Sequence, residues 1–293
     1  KLTDELRAAI QEADTKNRRE DLYLPYKPKR RTKAQIAREA GLEPLADALF
    51  GDPTLDPEAT ASGYLNPEAG VEDTKAALEG ARHILMERFA EDAELLGSLR
   101  DFIWQEGQLK VAVVDGKENE GAKFRDYFDH VEPLKKVPSH RALAILRGRN
   151  EGILTYSLVV GDVEDDRRQP HPAEQRIAAR WGIRDNGRAA DKWLSEVVRW
   201  TWRVKLSTQI ETDLMSQVRE AAEAEAINVF AANLKDLLLL APAGPRPTLG
   251  LDPGLRTGVK VAVIDGTGHL PCAEKPEAYA EILTRFLKEI GHV

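Results

Sequence analysis

The spacing of apolar residues changes once along this chain, and that change constrains the fold more than any other feature. Up to about residue 241 they recur every three or four positions, the period of a helix with one buried face. Leu2, Leu6 and Ile10 open the series, with Thr3 placed to cap. Leu78, Ala81, Ile84, Leu85 and Phe89 form a later stripe, and Leu95, Leu96, Leu99, Phe102 and Ile103 another. After "APAGPRP" the period falls to two. Leu249 and Leu251 flank Gly250, and Val259, Val261 and Val263 alternate with Lys260 and Ala262. These read as two short strands with a turn between, and Asp265-Gly266 reads as a further reverse turn. The expected fold is mainly α: a multi-helix scaffold over residues 1–241, a linker at 242–247, and the opening strands of an α/β unit over 248–293.

Within the helical part, Gly41 marks a helix stop in "TKAQIAREAGLEPLADALF". Residues 51–70, rich in Pro, Asp and Gly, read as surface loop, as does the polar "EDDRRQPHPAEQ". "LKVAVVDGKENEGA" fits strand or helix, "ILTYSLVVGD" reads as a strand, and "PSHRALAILRGRNEGIL" as a helix beginning near Pro138. Two long helices are expected at about 189–206 and 208–240. Trp193, Val197, Trp200 and Val204 share one face of the first at helical spacing. Such a stripe reads as core, with Arg199 and Arg203 shielding its edge, in preference to a base-stacking surface.

Composition narrows the function classes. One cysteine among 293 residues, Cys272, excludes an internal disulfide framework and fits a reducing cytoplasm. No apolar run approaches the roughly 20 residues that span a bilayer, so no membrane partner is expected. The net charge of −7 argues against a surface that binds polyanions everywhere, but not against a local basic patch, because salt confines each charge's reach to about 10 Å.

Two patches stand out. In residues 27–33, "KPKRRTK", five of seven positions are basic: Lys27, Lys29, Arg30, Arg31 and Lys33. Tyr23 and Tyr26 precede them and are placed to stack on bases. The alternative is a solvated loop balanced by Glu20 and Asp21. The second patch is Arg141, Arg147 and Arg149 on the "HRALAILRGRNEG" helix, which either tracks phosphates or pairs with acidic helices. Asp252 closes an apolar strand directly before Pro253-Gly254. A carboxylate there stands at a sheet rim where a metal or phosphate is met, or it caps a turn through its own backbone. One Asp does not make the carboxylate cluster of two-metal phosphodiester chemistry. No His, Cys or carboxylate spacing gives a structural zinc site, and no P-loop or nucleophile elbow is present, so neither metal nor cofactor is expected.

"DLYLPYKPKRRTKAQIAREAGLEPLADAL", "PSHRALAILRGRNEGIL" and "GRAADKWLSEVVRWTWRVKL" resemble, in that order, signature blocks of the Tex family of bacterial transcription accessory proteins. "LGLDPGLRTGVKVAVIDGTG" resembles the start of that family's YqgF-type, RNase H-like domain. The resemblance runs to about Gly268. It implies a cytoplasmic nucleic-acid-binding protein of transcription, similar in core layout to a eukaryotic elongation factor that also handles histones. It also implies further parts, a helix-hairpin-helix region and an OB-fold RNA-binding module, that are not visible in this sequence. After Leu270 the family's sheet would continue, whereas "PCAEKPEAYAEILTRFLKEIGHV" turns helix-like. Asp252 is then the one family-type acidic position, and the later carboxylates of an RNase H-like site are not present.

The expected function is a nucleic-acid-binding transcription accessory factor without catalysis of its own. Its partners would be RNA or DNA and the transcription machinery, met through Lys27, Lys29, Arg30, Arg31, Lys33, Arg141, Arg147 and Arg149. The rivals are a metal-dependent nuclease using Asp252 and a pure protein-interaction scaffold.

Overall fold

A computed structural model describes residues 3–27, 30–161, 170–240, 246–254, 258–267 and 275–289. The chain divides into two compact units, Lys1–Ala226 and Ile227–Val293.

The first unit opens with α1 (Asp4–Glu12), α2 (Lys16–Tyr23), α3 (Lys33–Glu39), α4 (Glu43–Gly51) and α5 (Pro57–Ala61). The long helices α6 (Thr74–Ala90) and α7 (Ala93–Glu106) follow. Short polar side chains start most of them. Thr3, Thr15, Thr32, Asp56, Asp73 and Asp92 each accept a hydrogen bond from a backbone N–H of the first turn, which has no partner inside the helix. Asp56 is followed by Pro57, whose missing N–H costs nothing at that position. This pair turns part of the expected 51–70 loop into α5, and two short 3₁₀ turns follow it at Ser62–Tyr64 and Pro67–Ala69. Gly41 stops α3 as expected, in a left-handed conformation (φ +81°).

Helix α6 is the hub. α3, α4, α5 and α10 (Asp191–Trp200) all pack on it. Leu45, Leu49, Ile84, Leu85 and Phe89 have no exposed surface. Each contributes about 1.5–3 kcal/mol relative to an exposed side chain. Phe89 stacks on Trp181 with 4.6 Å between ring centroids, and Phe50 closes on both rings.

A three-stranded antiparallel sheet of β1 (Gly107–Val113), β2 (Asp129–Pro133) and β3 (Leu154–Val160) runs in the order β2-β1-β3. The ambiguous "LKVAVVDG" is thus strand, with Leu109 and Val111 buried on one face. Gly107 lets the chain pass directly from α7 into β1: a Cβ there would lie 2.2 Å from the Ile103 carbonyl oxygen. α8 (Ser139–Asn150) packs against β3.

The expected polar loop at 164–175 lies partly outside the described residues. Its last residues belong instead to α9 (Pro172–Arg180), again with proline in the first turn. α10 passes through a π-helical turn, Thr201–Leu206, into α11 (Ser207–Leu238). The two expected long helices are therefore continuous. The wider turn rotates the buried face: Leu194, Val197 and Val198 hand over to Trp202 and Leu206, then to Ile210 and Leu214. The expected tryptophan stripe is not the buried face, which within α10 already runs through Leu194, Val197 and Val198. Val197 and Trp202 are core and Trp193 is partly buried against it, whereas Trp200 and Val204 are 45% and 51% exposed.

The second unit holds the end of α11, an antiparallel pair of β4 (Arg246–Gly254) and β5 (Gly258–Thr267), and α12 (Pro276–Glu289). Most of the expected linker, 242–245, lies outside the described residues, as does the turn between the strands. Asp265-Gly266 does not turn the chain. β5 extends through both residues because Thr267 still pairs with Arg246, across a register irregularity between Arg246 and Thr248. The helix-like run after Leu270 is α12. No described helix is long and apolar enough to cross a membrane.

Candidate nucleic-acid interface

The basic loop grows from the end of α2. Pro25 closes that helix with a 3₁₀ turn, Leu24–Tyr26, leaving Tyr23 and Tyr26 about half exposed beside the cations. Lys27, Arg30, Arg31 and Lys33 are exposed, while Pro28 and Lys29 lie outside the described residues. Arg31 is paired, its Nη2 lying 2.6 Å from Glu39 Oε2. Among the described residues no carboxylate comes within ion-pair distance of Lys27, Arg30 or Lys33.

The base of this loop is fixed by charge. Arg100 on α7 donates to both carboxylate oxygens of buried Asp21 at 2.6 and 2.5 Å, and its Nε donates to Asp213 on α11 at 2.8 Å. Burial opposes the guanidinium charge, but the hydrogen bonds to Asp21 and Asp213 outweigh it and raise the Arg100 pKa. The triad joins α2, α7 and α11 beneath Lys27. A cleft of about 840 Å³ alongside is lined by both signs of charge, including Asp14, Lys16, Arg18, Asp101 and Glu220.

The α8 arginines have partners. Arg141 Nη1 lies 2.6 Å from Glu132 Oε2, and the other oxygen of that carboxylate meets His130 Nε2 at 2.9 Å. Arg147 pairs with Glu151 at 2.9 Å, and Lys123 reaches the same carboxylate. Hydrogen bonds from Lys123 and Arg147 hold the Glu151 pKa down. Arg149 lies over the Tyr156 ring, 4.4 Å from its centroid, and donates to its hydroxyl. The two basic patches stand on different elements, α3 packing on α6 and α8 on β3.

A third cationic group surrounds exposed Trp200. Arg82 of α6 lies over the indole at 5.0 Å. Arg199 and Arg203 are exposed on the adjoining helical turn, and Arg203 Nε is 3.5 Å from buried Glu174. Desolvation raises the Glu174 pKa against the fields of Arg203 and Arg199. The sequence reading puts Trp200 in the core with Trp193 and Val197, but the face that α10 buries runs through Leu194, Val197 and Val198, and Trp200 lies off it.

Asp252 lies within β4 at the register position opposite Lys260. Among the described residues no group of three or more His, Cys, Asp or Glu side chains is placed to hold a metal ion.

These elements define a mainly α-helical scaffold with a small antiparallel sheet, presenting cations and aromatic rings on open surface. The chain belongs to the Tex family: the model of the Tex central region-like family matches residues 52–230. It is 61% identical over 270 residues to protein YhgF of Escherichia coli strain K12 and 59% identical over 276 residues to protein tex of Bordetella pertussis. It is 57% identical over 270 residues to the transcriptional accessory protein Tex of Neisseria gonorrhoeae. Each match covers 92% of this chain and 35% of the relative. The chain thus spans about a third of the length of these relatives.

Proposed function

We propose that this chain is a nucleic-acid-binding portion of a transcription accessory factor, acting by contact and not by catalysis. The observation that carries the reading is the loop at 23–33. It joins two half-exposed tyrosines to Lys27, Arg30 and Lys33, cations with no carboxylate partner among the described residues. Unpaired cations release counterions from a phosphate backbone, and exposed rings stack on bases. The name of the Neisseria gonorrhoeae relative, a transcriptional accessory protein, sets the context. The partners on this reading are RNA or DNA and the transcription machinery, in the cytoplasm. The arginines of α8 contribute less than the loop, since Arg141 and Arg147 already hold Glu132 and Glu151. In this reading residues 1–241 are the helical body, 242–247 a linker and 248–293 the opening of a YqgF-type, RNase H-like domain.

The test is a salt titration of binding to RNA, single-stranded DNA and duplex DNA, with cleavage products followed alongside. Reversing Lys27, Arg30 and Lys33 to Glu is expected to weaken binding and to flatten the log–log salt slope by about 0.7–0.9 per lost phosphate contact. An unchanged slope refutes the loop as the interface. Magnesium-dependent cleavage lost in Asp252→Asn would make the chain a nuclease. No salt-dependent affinity for any nucleic acid would leave a protein-interaction scaffold.

A further inference from the structure

Trp200 is a large apolar side chain left 45% exposed at the point where α10 enters its π-helical turn. A lone exposed aromatic needs no explanation. This one has a cationic setting. Arg82 lies over its ring at 5.0 Å, Arg199 precedes it, and Arg203 and Lys205 follow it, all three exposed. Glu196, one turn earlier, Glu79, 3.8 Å from Arg82, and buried Glu174, 3.5 Å from Arg203, are carboxylates of this neighbourhood, set against the four cations Arg82, Arg199, Arg203 and Lys205. Val204, half exposed one turn beyond Trp200, extends the apolar strip.

The state of Arg82 sets it apart from the arginines that hold a carboxylate closely. Arg31, Arg38, Arg88, Arg100, Arg141, Arg147 and Arg188 each have a carboxylate oxygen within 2.9 Å. Arg82 comes no nearer than 3.8 Å to Glu79, and its buried Nε has no hydrogen-bond partner. The guanidinium is held by the indole face together with a long ion pair to Glu79. A guanidinium against an indole presents a planar, electropositive surface. It suits a nucleobase, which offers a π face, joined to a phosphate, which offers the negative charge. A duplex conceals its base faces in the stack, whereas a single strand offers them.

We propose that Trp200, backed by Arg82 and flanked by Arg199, Arg203 and Lys205, is a stacking platform for one base of a single-stranded nucleic acid. The inference rests on the nucleic-acid reading above, but it concerns a different surface from the 23–33 loop. The ring takes the base, and Arg199, Arg203 and Lys205 neutralise the adjoining phosphates. The platform is insensitive to sequence, since every base has a π face.

The test uses the full chain and fluorescence anisotropy of labelled oligo(dT), and of an abasic strand of equal length, about 16 nucleotides each. Trp200→Ala is expected to weaken oligo(dT) binding about 5- to 100-fold, with Trp200→Tyr recovering most of the loss, and to leave abasic-strand binding unchanged. Circular dichroism of each variant confirms the fold. Unaltered oligo(dT) affinity in Trp200→Ala overturns the proposal. So does an equal loss on the abasic strand, which would mark Trp200 as structural or as a site of charge-only contact. If wild type binds but only the Lys27, Arg30 and Lys33 reversal matters, the nucleic-acid reading stands and the platform falls. If wild type binds neither strand, both fall, and the exposed indole is left as a contact for protein.

Discussion

The Arg100 guanidinium grips both oxygens of the Asp21 carboxylate across 79 residues of sequence, with Asp21 3% and Arg100 9% exposed. The pair ties α2 to α7 and so sets where the basic loop leaves the scaffold. A buried pair of this kind need not be more stable than an apolar substitute, but removing one partner strands the other charge away from water. Arg100→Ala is therefore expected to destabilise by about 3–5 kcal/mol in urea denaturation. Asp213→Ala should cost less, because that carboxylate is 28% exposed and Arg100 keeps Asp21. A loss in Asp213→Ala equal to that in Arg100→Ala would show that Arg100 depends on Asp213 and that the Asp21 contact does not suffice.

Gly148 in α8 is a packing glycine. A Cβ there would lie 2.5 Å from Leu154 Cδ1, 2.8 Å from Leu154 Cγ and 3.3 Å from a Phe124 ring carbon. In an open helix, glycine to alanine gains about 1 kcal/mol. Here the methyl must displace a buried leucine, and overpacking costs about 1–3 kcal/mol. Gly148→Ala is expected to lower the thermal midpoint, and a rise in Tm would show that Leu154 moves aside freely.

These contacts show what the sequence can disclose. The stripes of α6 and α7, the strand at 154–160, the Gly41 stop and the helix after Leu270 follow from local rules: side-chain period, capping and turn chemistry. The period-two alternation of the two strands after residue 248 was equally legible. What escaped depends on tertiary partners. α5 was hidden because Pro, Asp and Gly also compose loops, and Asp265-Gly266 because ladder pairing overrides a turn-prone dipeptide. Trp200 is exposed because α10 turns its Leu194, Val197 and Val198 face inward, a choice between adjacent helix faces that only the packing against α6 and α9 decides. At the candidate interface the cations of residues 27–33 could be read directly. The carboxylates neutralising Arg31, Arg141 and Arg147 could not be assigned, since Glu39, Glu132 and Glu151 are picked out among many acidic residues only by the fold.

His83 makes stability depend on pH near neutrality. Burial depresses its pKa below the ordinary value near 6.5, and Lys33 and Arg82 add to the effect, while Glu79 opposes it. The unfolded chain therefore takes up this proton at higher pH than the folded one. Stability from this site is full above about pH 6.5 and falls as pH drops toward the lower folded value. Comparing wild type with His83→Gln by denaturation between pH 7.5 and about pH 5 should show a shallower decline in the variant. Parallel declines would mean that His83 takes no part.

Asp191 acts at much lower pH. Its carboxylate accepts hydrogen bonds from the Asn186 and Arg188 backbone N–H groups at 2.7 and 2.9 Å and from the Arg188 guanidinium at 3.0 Å. The Arg188 side chain is the main cause of a pKa held near 2, against burial, with the two backbone donors adding to it. The loop it organises is anchored at Ala190, whose N–H donates to the Pro53 carbonyl at 3.0 Å. Because the folded pKa lies below the unfolded value of 3.8, this site stabilises fully above about pH 4 and loses its contribution as pH falls toward 2. Asp191→Asn should be less stable than wild type at pH 7, since the amide keeps the shape but not the charge that Arg188 meets. The gap between the two denaturation midpoints should close as pH falls through that acidic window. A gap independent of pH would assign the loss to shape and backbone hydrogen bonding instead of to the ion pair.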